Sequence, residues 1–387
     1  MKLRTFRFSL MQGVYWFGAC LVYSYAERIL LSYGFQTGVI GVILAASYLS
    51  AMVLQPAIAS AADRGRRVTL RLGIAAGALL SAALAVSARI GGNAPVVFAV
   101  LLGALSSVTL AVQPLVNAVG FHYINRGLDL DYSFARGVAS IVYALASLLF
   151  GALAARRIGA MLWVYAAVQL GLFLSALFFA PHREGIAARE TGGSLADVFR
   201  RYPAFVLFCA GNLVLVVPHM VINSYLASIT KVTGGDMSVM IAIAALVEFP
   251  AMMAYSRLRK RIPDRVLLVA SAAVYLLKTG LLLAAAYLPI GAWAAYVSSA
   301  LQMLCYAIFV PAASYYANDT VSESDRVKGQ MLLTEAGLAA GVVSMLFGGL
   351  SIGRFGVGIT LAVCEGLVAI GVLIVWLGLR KGKQKAD

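Results

Sequence analysis

The sequence predicts an all-α integral membrane protein: twelve transmembrane helices in two pseudo-symmetric six-helix bundles. Three observations lead there. Apolar stretches of about 20 residues, the length an α-helix needs to cross a hydrocarbon core of about 30 Å, follow one another from Phe8 to Leu379 with short polar connections. Of 387 residues, 61% are hydrophobic and only 12% charged, and a soluble domain carries about twice that charge. The runs are also continuously apolar, whereas the strands of a membrane barrel alternate in polarity over about ten residues. In lipid the backbone must satisfy its own hydrogen bonds, so helices are the remaining choice.

Span 1 covers 8–30 and follows the basic start Met1–Arg7. It is too long for a signal peptide and lacks a small-residue cleavage site, so it is expected to stay in the membrane. Span 2 (37–61) carries Pro56 and leads into the basic turn Asp63-Arg64-Gly65-Arg66-Arg67. Spans 3 and 4 cover 68–90 and 95–120, the second of these with Pro114, and spans 5 and 6 cover 134–155 and 158–180. The connection 181–202 is the longest and most polar, and divides an N-terminal bundle (1–180) from a C-terminal bundle (203–387). Spans 7 to 9 cover 203–229, 237–256 and 265–288; spans 10 to 12 cover 291–317, 330–350 and 356–379.

The halves echo each other. Pro250 in span 8 stands 194 residues after Pro56 in span 2, since 250 − 56 is 194. A basic turn follows each, Arg257-Leu258-Arg259-Lys260-Arg261 in the second half, and Pro311 in span 10 answers Pro114 in span 4. Duplicated six-helix halves leave this pattern, and in secondary transporters the solute site lies near the midplane between such repeats.

The net charge of +15 is first a matter of topology. The N-terminus, even-numbered loops and C-terminus hold about 23 of the 31 Lys and Arg, the other side about six. By the positive-inside rule both termini are cytoplasmic. The basic residues are scattered over short loops rather than gathered in one patch, so no nucleic-acid partner is expected; the bilayer is. Four dispersed cysteines and three dispersed histidines suggest neither a disulfide framework nor a metal site. There is no Walker motif, no cofactor fingerprint and no nucleophile–base cluster, so an enzyme is not expected.

Two sets of residues resemble a known family. Ala59-Ser60-Ala61-Ala62-Asp63-Arg64-Gly65-Arg66-Arg67 resembles the Gly-x-x-x-Asp-Arg-x-Gly-Arg-Arg signature between helices 2 and 3 of major facilitator transporters. It lacks the first glycine and is one residue short. Leu54-Gln55-Pro56, Gln113-Pro114-Leu115-Val116-Asn117-Ala118, Arg136-Gly137-Val138-Ala139-Ser140, Glu248-Phe249-Pro250 and Lys278 are similar, in order along the whole chain, to the oligosaccharide:proton symporter branch that includes lactose permease. The resemblance implies the major facilitator fold and proton-coupled uptake of a sugar or similar polar solute by a monomer in a bacterial cytoplasmic membrane. Asp63, Arg64, Gly65, Arg66 and Arg67 would form a gating latch. The family's sugar-binding carboxylate falls on Asn117, its helix 5 arginine on Arg136, its stacking tryptophan on Tyr143, its helix 8 glutamate on Glu248 and its helix 9 arginine on Lys278. The helix 10 lysine becomes Gln302. The proton-coupling histidine and glutamate of helix 10 become Cys305 and Ile308, so a different ligand or coupling arrangement is implied.

Ionisable residues inside a span cost about 2.5–3.5 kcal/mol each on insertion scales and usually face a cavity or a partner. Those singled out are Arg136, Glu248, Lys278, Glu335 and Glu365. Arg136 either snorkels to the cytoplasmic interface or faces a cavity. Glu248 lies too deep in span 8 to snorkel, and Lys278 in the next span is its natural partner and joins it as a proton-coupling candidate. Arg136 and Glu248 come from opposite halves and are expected to line one cavity. Tyr23, Tyr143, Asn223 and Gln302 are candidate solute contacts; membrane helices also use such residues as interhelical glue. Alternatives to sugar uptake are export or import of another small organic solute, such as a nucleoside or aromatic acid, and a non-transporting receptor with the same fold.

Overall fold

The computed structural model describes residues 3–65, 69–91, 94–179, 195–322 and 325–381; side chains at 56–65, 125, 195–197, 326, 327 and 381 are not described. The described residues are helical throughout their regular structure, and the chain divides into two compact units, Met1–Ala188 and Arg189–Asp387.

The first unit holds α1 (Leu3–Cys20), α2 (Ala26–Ser32), α3 (Thr37–Gly65), α4 (Leu70–Ile90), α5 (Pro95–Asn125), α6 (Tyr132–Arg156) and α7 (Ala160–Phe179). The second holds α8 (Leu195–Arg201), α9 (Pro203–Ser224), α10 (Leu226–Thr233), α11 (Met237–Leu258), α12 (Asp264–Tyr287), α13 (Trp293–Ala300), α14 (Tyr306–Thr320) and α15 (Arg326–Lys381). Among the described residues, ten helical stretches are long and apolar enough to cross a membrane. The last of them is two helices meeting at Gly356, whose φ of 83° lies in the left-handed region that glycine tolerates. The first predicted span is split into α1 and α2 by a π-helical turn at Leu21–Tyr25. With these two features the twelve predicted spans are accounted for. One predicted connection differs: the polar stretch 181–202 carries α8, and Val198 on it is buried in the core of the second unit.

Polar residues end the helices where the sequence turns. Thr69, Asp131 and Asp236 accept from backbone N–H groups of Leu72, Phe134 and Val239, and so cap α4, α6 and α11. Large apolar side chains such as Val53, Leu145, Phe178 and Leu277 stay exposed along the spans, as expected where the solvent is lipid. Inward, Phe8, Met11, Tyr15, Ile74, Val116 and Leu172 pack the first unit. Phe205, Phe208, Leu268, Tyr275 and Phe309 pack the second.

A matched device appears once in each unit. Tyr25 ends the π turn of span 1 and donates its hydroxyl to the Ser147 carbonyl at 2.6 Å. Tyr225 stands at the break between α9 and α10 and donates to the Met345 carbonyl at 2.6 Å. Both rings are buried. A broken helix frees backbone groups, and burying one hydroxyl on a neighbouring helix fixes the break without leaving that hydroxyl unpaired. Gly348 makes room for the second ring, since a Cβ there would stand 2.5 Å from the Tyr225 ring.

The tightest helix contact in the second unit runs between α9 and α15. A Cβ at Gly211 would lie 2.7 Å from the Val375 backbone nitrogen, one at Gly371 2.9 Å from that of Leu215, and one at Gly378 2.7 Å from that of Phe208. Each obstacle is backbone and cannot swing away. Membrane helices associate through such small residues because lipid offers no hydrophobic drive between them. Gly371→Leu is therefore expected to lower the thermal midpoint of the purified protein, with a cost of at least about 1–3 kcal/mol for overpacking. Gly366→Leu, at a position with no atom near the added Cβ, should leave that midpoint nearly unchanged.

Candidate functional site

In the first unit three helices bring their polar residues to one place. Gln12, Trp16 and Tyr23 share a face of span 1, four and seven residues apart. Gln113 and Asn117 do the same on α5, and Arg136 and Tyr143 on α6. The Gln12 amide nitrogen donates to Asn117 Oδ1 at 3.1 Å, and the Trp16 indole N–H donates to Gln12 Oε1 at 3.2 Å. The Arg136 guanidinium carbon lies 4.0 Å from the centre of the Trp16 ring, a cation–π contact of about 0.5–2 kcal/mol. Tyr23 stacks on Trp16 with ring centres 5.8 Å apart, and its hydroxyl donates to Gln113 Oε1 at 3.1 Å. Tyr143 packs beside Trp16, and its hydroxyl shares a 2.7 Å hydrogen bond with Ser24. The result is an indole platform held from above by a cation and from the sides by amides and phenols. Trp16, Tyr23, Asn117, Arg136 and Tyr143 are half-buried, while Gln12 and Ser24 are buried.

The second unit carries a different chemistry. The Gln302 amide nitrogen donates to Glu248 Oε1 at 3.1 Å, and the Lys278 ammonium donates to Gln302 Oε1. Glu248 and Lys278, expected as partners, are thus linked through Gln302, which donates to one and accepts from the other. Lys278 and Gln302 are buried, and Glu248 is half-buried. Gln302 sits in the short 3-10 turn Leu301–Met303 between α13 and α14, a break that aims it at both neighbours. Ser298 donates to the Lys278 carbonyl at 2.8 Å and ties α13 to α12 there. Asn223 does not stand alone: its amide nitrogen lies 3.0 Å from His219 Nε2. Cys305 and Ile308, where the resemblance puts a proton-coupling pair, lie in the apolar core.

Residues 12–362 match the MFS_1 like family. The chain belongs to that family. Solved structures with the same fold include the nucleoside transporter NupG (TM-score 0.76, 15% identity, 98% of this chain and 99% of that one). A D-xylose–proton symporter matches at TM-score 0.74 and 13% identity, with 96% of each chain covered. A bacterial homologue of the human lysosomal transporter Spinster, in an inward-facing and unoccupied conformation, matches at 0.72 and 15% identity, with 98% of this chain and 97% of that one covered. No curated protein matches the chain. The protein is a multi-pass membrane transporter of the major facilitator type rather than an enzyme.

The structure also bears on the parts of this transporter expected at the helix ends. Asp63, Arg64 and Gly65 end α3, but their side chains, and residues Arg66 and Arg67, lie outside the described residues. The corresponding turn of the second unit is described. Arg259 Nε donates to Asp264 at 2.9 Å, and its Nη2 donates to Asp319 at 2.9 Å. The same guanidinium lies 3.7 Å from the centre of the Tyr315 ring. One arginine so clamps the ends of spans 8, 9 and 10. The Asp319 arm is well exposed and contributes little on its own. A second tie joins spans 7 and 11: the Tyr202 hydroxyl donates to Asp325 at 3.1 Å, and Lys328 donates to Asp325 at 2.8 Å.

Several of these residues escaped sequence reasoning. Trp16 and Gln12 carry no charge, yet their spacing with Tyr23 on one helical face was a usable signal. Glu27 is fully buried near the end of span 1, where a charge reads in sequence as an interfacial one. His219, isolated in sequence, meets Tyr306 and Tyr275 from two other helices. Glu365 packs against Gly280 of α12, and its Oε2 is buried without a hydrogen-bond partner. Glu335 is half-buried near the start of span 11.

The hydrogen bond from Lys328 holds the Asp325 carboxyl below the usual carboxylate range, helped by Tyr202 and Ser322. A depressed folded-state pKa stabilises the protein above the ordinary carboxylate value, and that contribution is lost as pH falls through the depressed one. Asp325→Asn should therefore lower the melting midpoint at neutral pH, and the gap to the parent protein should close in acid, below about pH 4. Melting curves of both proteins across that range check it; a gap independent of pH would contradict the tie.

Proposed function

We propose that this transporter carries a polar, ring-bearing organic solute, a sugar or a similarly hydroxylated molecule, into the cell together with a proton by alternating access. The observation that carries the reading is that each unit holds a polar cluster within its spans, of different chemistry in the two. The platform of Trp16, Tyr23 and Tyr143 presents aromatic surface that can stack on the apolar face of a ring, while Gln12, Gln113, Asn117 and Arg136 offer groups for its hydroxyls. The Glu248–Gln302–Lys278 chain offers a carboxylate, an amide and a cation. The symporter-branch resemblance supports it at Arg136, Glu248 and Lys278 and departs from it at Asn117, Gln302, Cys305 and Ile308.

A nucleoside is the second reading. A nucleobase needs flat aromatic partners, and two stacked pairs favour it, Trp16 with Tyr23 and His219 with Tyr306. The NupG structure shares the fold and is described as a nucleoside transporter.

Glu248 is the proposed coupling residue. Ionised, it accepts from the Gln302 amide; protonated, it becomes a donor itself, and the amide and the Lys278 ammonium beyond it must rearrange. Proton occupancy would thus be coupled to the shape of a solute contact. Both termini are proposed to be cytoplasmic, with the Asp63–Arg67 turn and the Arg259 clamp at that end.

Glu248→Gln should abolish accumulation driven by a proton gradient in proteoliposomes, read with whichever sugar or nucleoside the parent protein takes up. Exchange of the same solute should survive in part, because exchange needs the conformational cycle but no net proton release. Undiminished accumulation by the variant under a proton gradient alone would remove Glu248 from the coupling role.

A further inference from the structure

His219 lies in the middle of span 7 with its ring buried at 5% exposure. Pro218 precedes it, and Tyr306 of α14 stacks on its face, ring centres 4.8 Å apart and planes 17° apart. Tyr275 of α12 meets its edge at 5.6 Å. The Asn223 amide nitrogen lies 3.0 Å from Nε2, one turn further along α9. Nδ1 is buried and has no hydrogen-bond partner. A buried ring nitrogen without a partner needs an explanation.

An amide nitrogen only donates, so in this arrangement Nε2 is an acceptor and the neutral ring carries its proton on Nδ1. An N–H is thus held in the protein interior with nothing to receive it. The neighbours of the ring pull in opposite directions. A stacked phenol stabilises a charged imidazolium through its π face. Lys278 stands one turn from Tyr275 on α12, and a cation near the ring opposes that charge. Tyr275 on α12 and Tyr306 at the start of α14 face His219, with Lys278 one turn from Tyr275 and Cys305 beside Tyr306. The carboxylate of Glu248 on α11 acts from one step further, through Gln302 and Lys278. Ser344, Gly348, Gly371, Val375 and Gly378 are among the residues of α15 packed on α9, and none of these titrates.

We infer that His219 and Asn223 form a second proton-binding site of this transporter, an imidazole with an amide switch. A hydronium ion gives its proton to the Nε2 lone pair: one O–H bond breaks, one N–H bond forms, and water leaves. The Asn223 amide then turns so that Oδ1, instead of the nitrogen, faces Nε2 and accepts from it. Release to water reverses both steps, with no change of oxidation state. Nδ1–H remains a donor in both states, and its proposed partner is an acceptor oxygen of a hydroxylated solute. An acceptor there favours the charged ring, so solute and proton would each tighten the binding of the other. Asn223 is then a positioning residue for His219 rather than an independent solute contact. Only the role of the site rests on the transport reading; its proton chemistry does not.

The chain has three histidines, so full-length protein labelled with ¹⁵N at histidine gives a small set of NMR signals, and His219→Gln identifies the one of interest. Across about pH 5–9, the window in which histidine titrates, the His219 signal should change from an imidazolium to a neutral ring protonated on Nδ1. Lys278→Gln should raise the imidazolium fraction at a given pH, and Glu248→Gln should lower it. Each variant is read against the parent on its own, so the loss of one to misfolding leaves the other as a test. A ring fixed in one neutral form over that range, in the parent and in Lys278→Gln, would overturn the site. Equal responses in the two variants would overturn its link to Lys278. Loss of solute flux in the parent with the titration intact would instead count against the transport reading alone.

Discussion

Hydrocarbon offers no water to answer a polar group, and the rest of this structure follows from that constraint. It forces the backbone into helices. It also favours polar side chains that find partners within the protein, and such residues gather in clusters. Gln12 with Asn117 and Trp16, Gln302 with Glu248 and Lys278, and Tyr225 with the Met345 carbonyl each settle a group that would be costly alone. Where backbones approach closely, as at Gly211 and Gly371, the same constraint acts through packing, because association in lipid depends on van der Waals fit.

The two units solve the problem with similar parts and different chemistry. Each has a broken first helix fixed by one buried tyrosine hydroxyl, on Tyr25 and Tyr225. Around the first of these breaks stands an aromatic platform whose one cation lies over an indole. The second unit instead holds a carboxylate, a lysine and a histidine in one neighbourhood. Under the proposed function, the first unit offers the larger aromatic surface and the second the coupling carboxylate.

Much of the fold was legible in the sequence because span length and polarity are local properties. Spans from 37–61 through 291–317 were readable from composition alone, and the break at Gly356 matched the expected start of the last span. The π turn at Leu21–Tyr25 was not readable, since its residues are as apolar as those of an ordinary helix. The candidate site was legible where a charge or a family motif marked it, as at Arg136, Glu248 and Lys278. It was illegible where a cluster depends on contacts between distant spans. Residues 219, 275 and 306 belong to three helices, and nothing in their local sequence announces that they meet. The role given to Gln302 also depends on distance: only the 3-10 turn at Leu301–Met303 shows that it can bridge the acid and the base.

The central claim is that these in-span polar clusters serve solute and proton together. The most direct measurement is the internal pH of proteoliposomes containing the purified protein, followed with a trapped pH dye as sugars and nucleosides are added outside one at a time. The account predicts that at least one hydroxylated, ring-bearing solute enters and carries protons with it, acidifying the lumen without an imposed gradient. Entry of such a solute with no change in internal pH, or no entry of any member of either class, would contradict it.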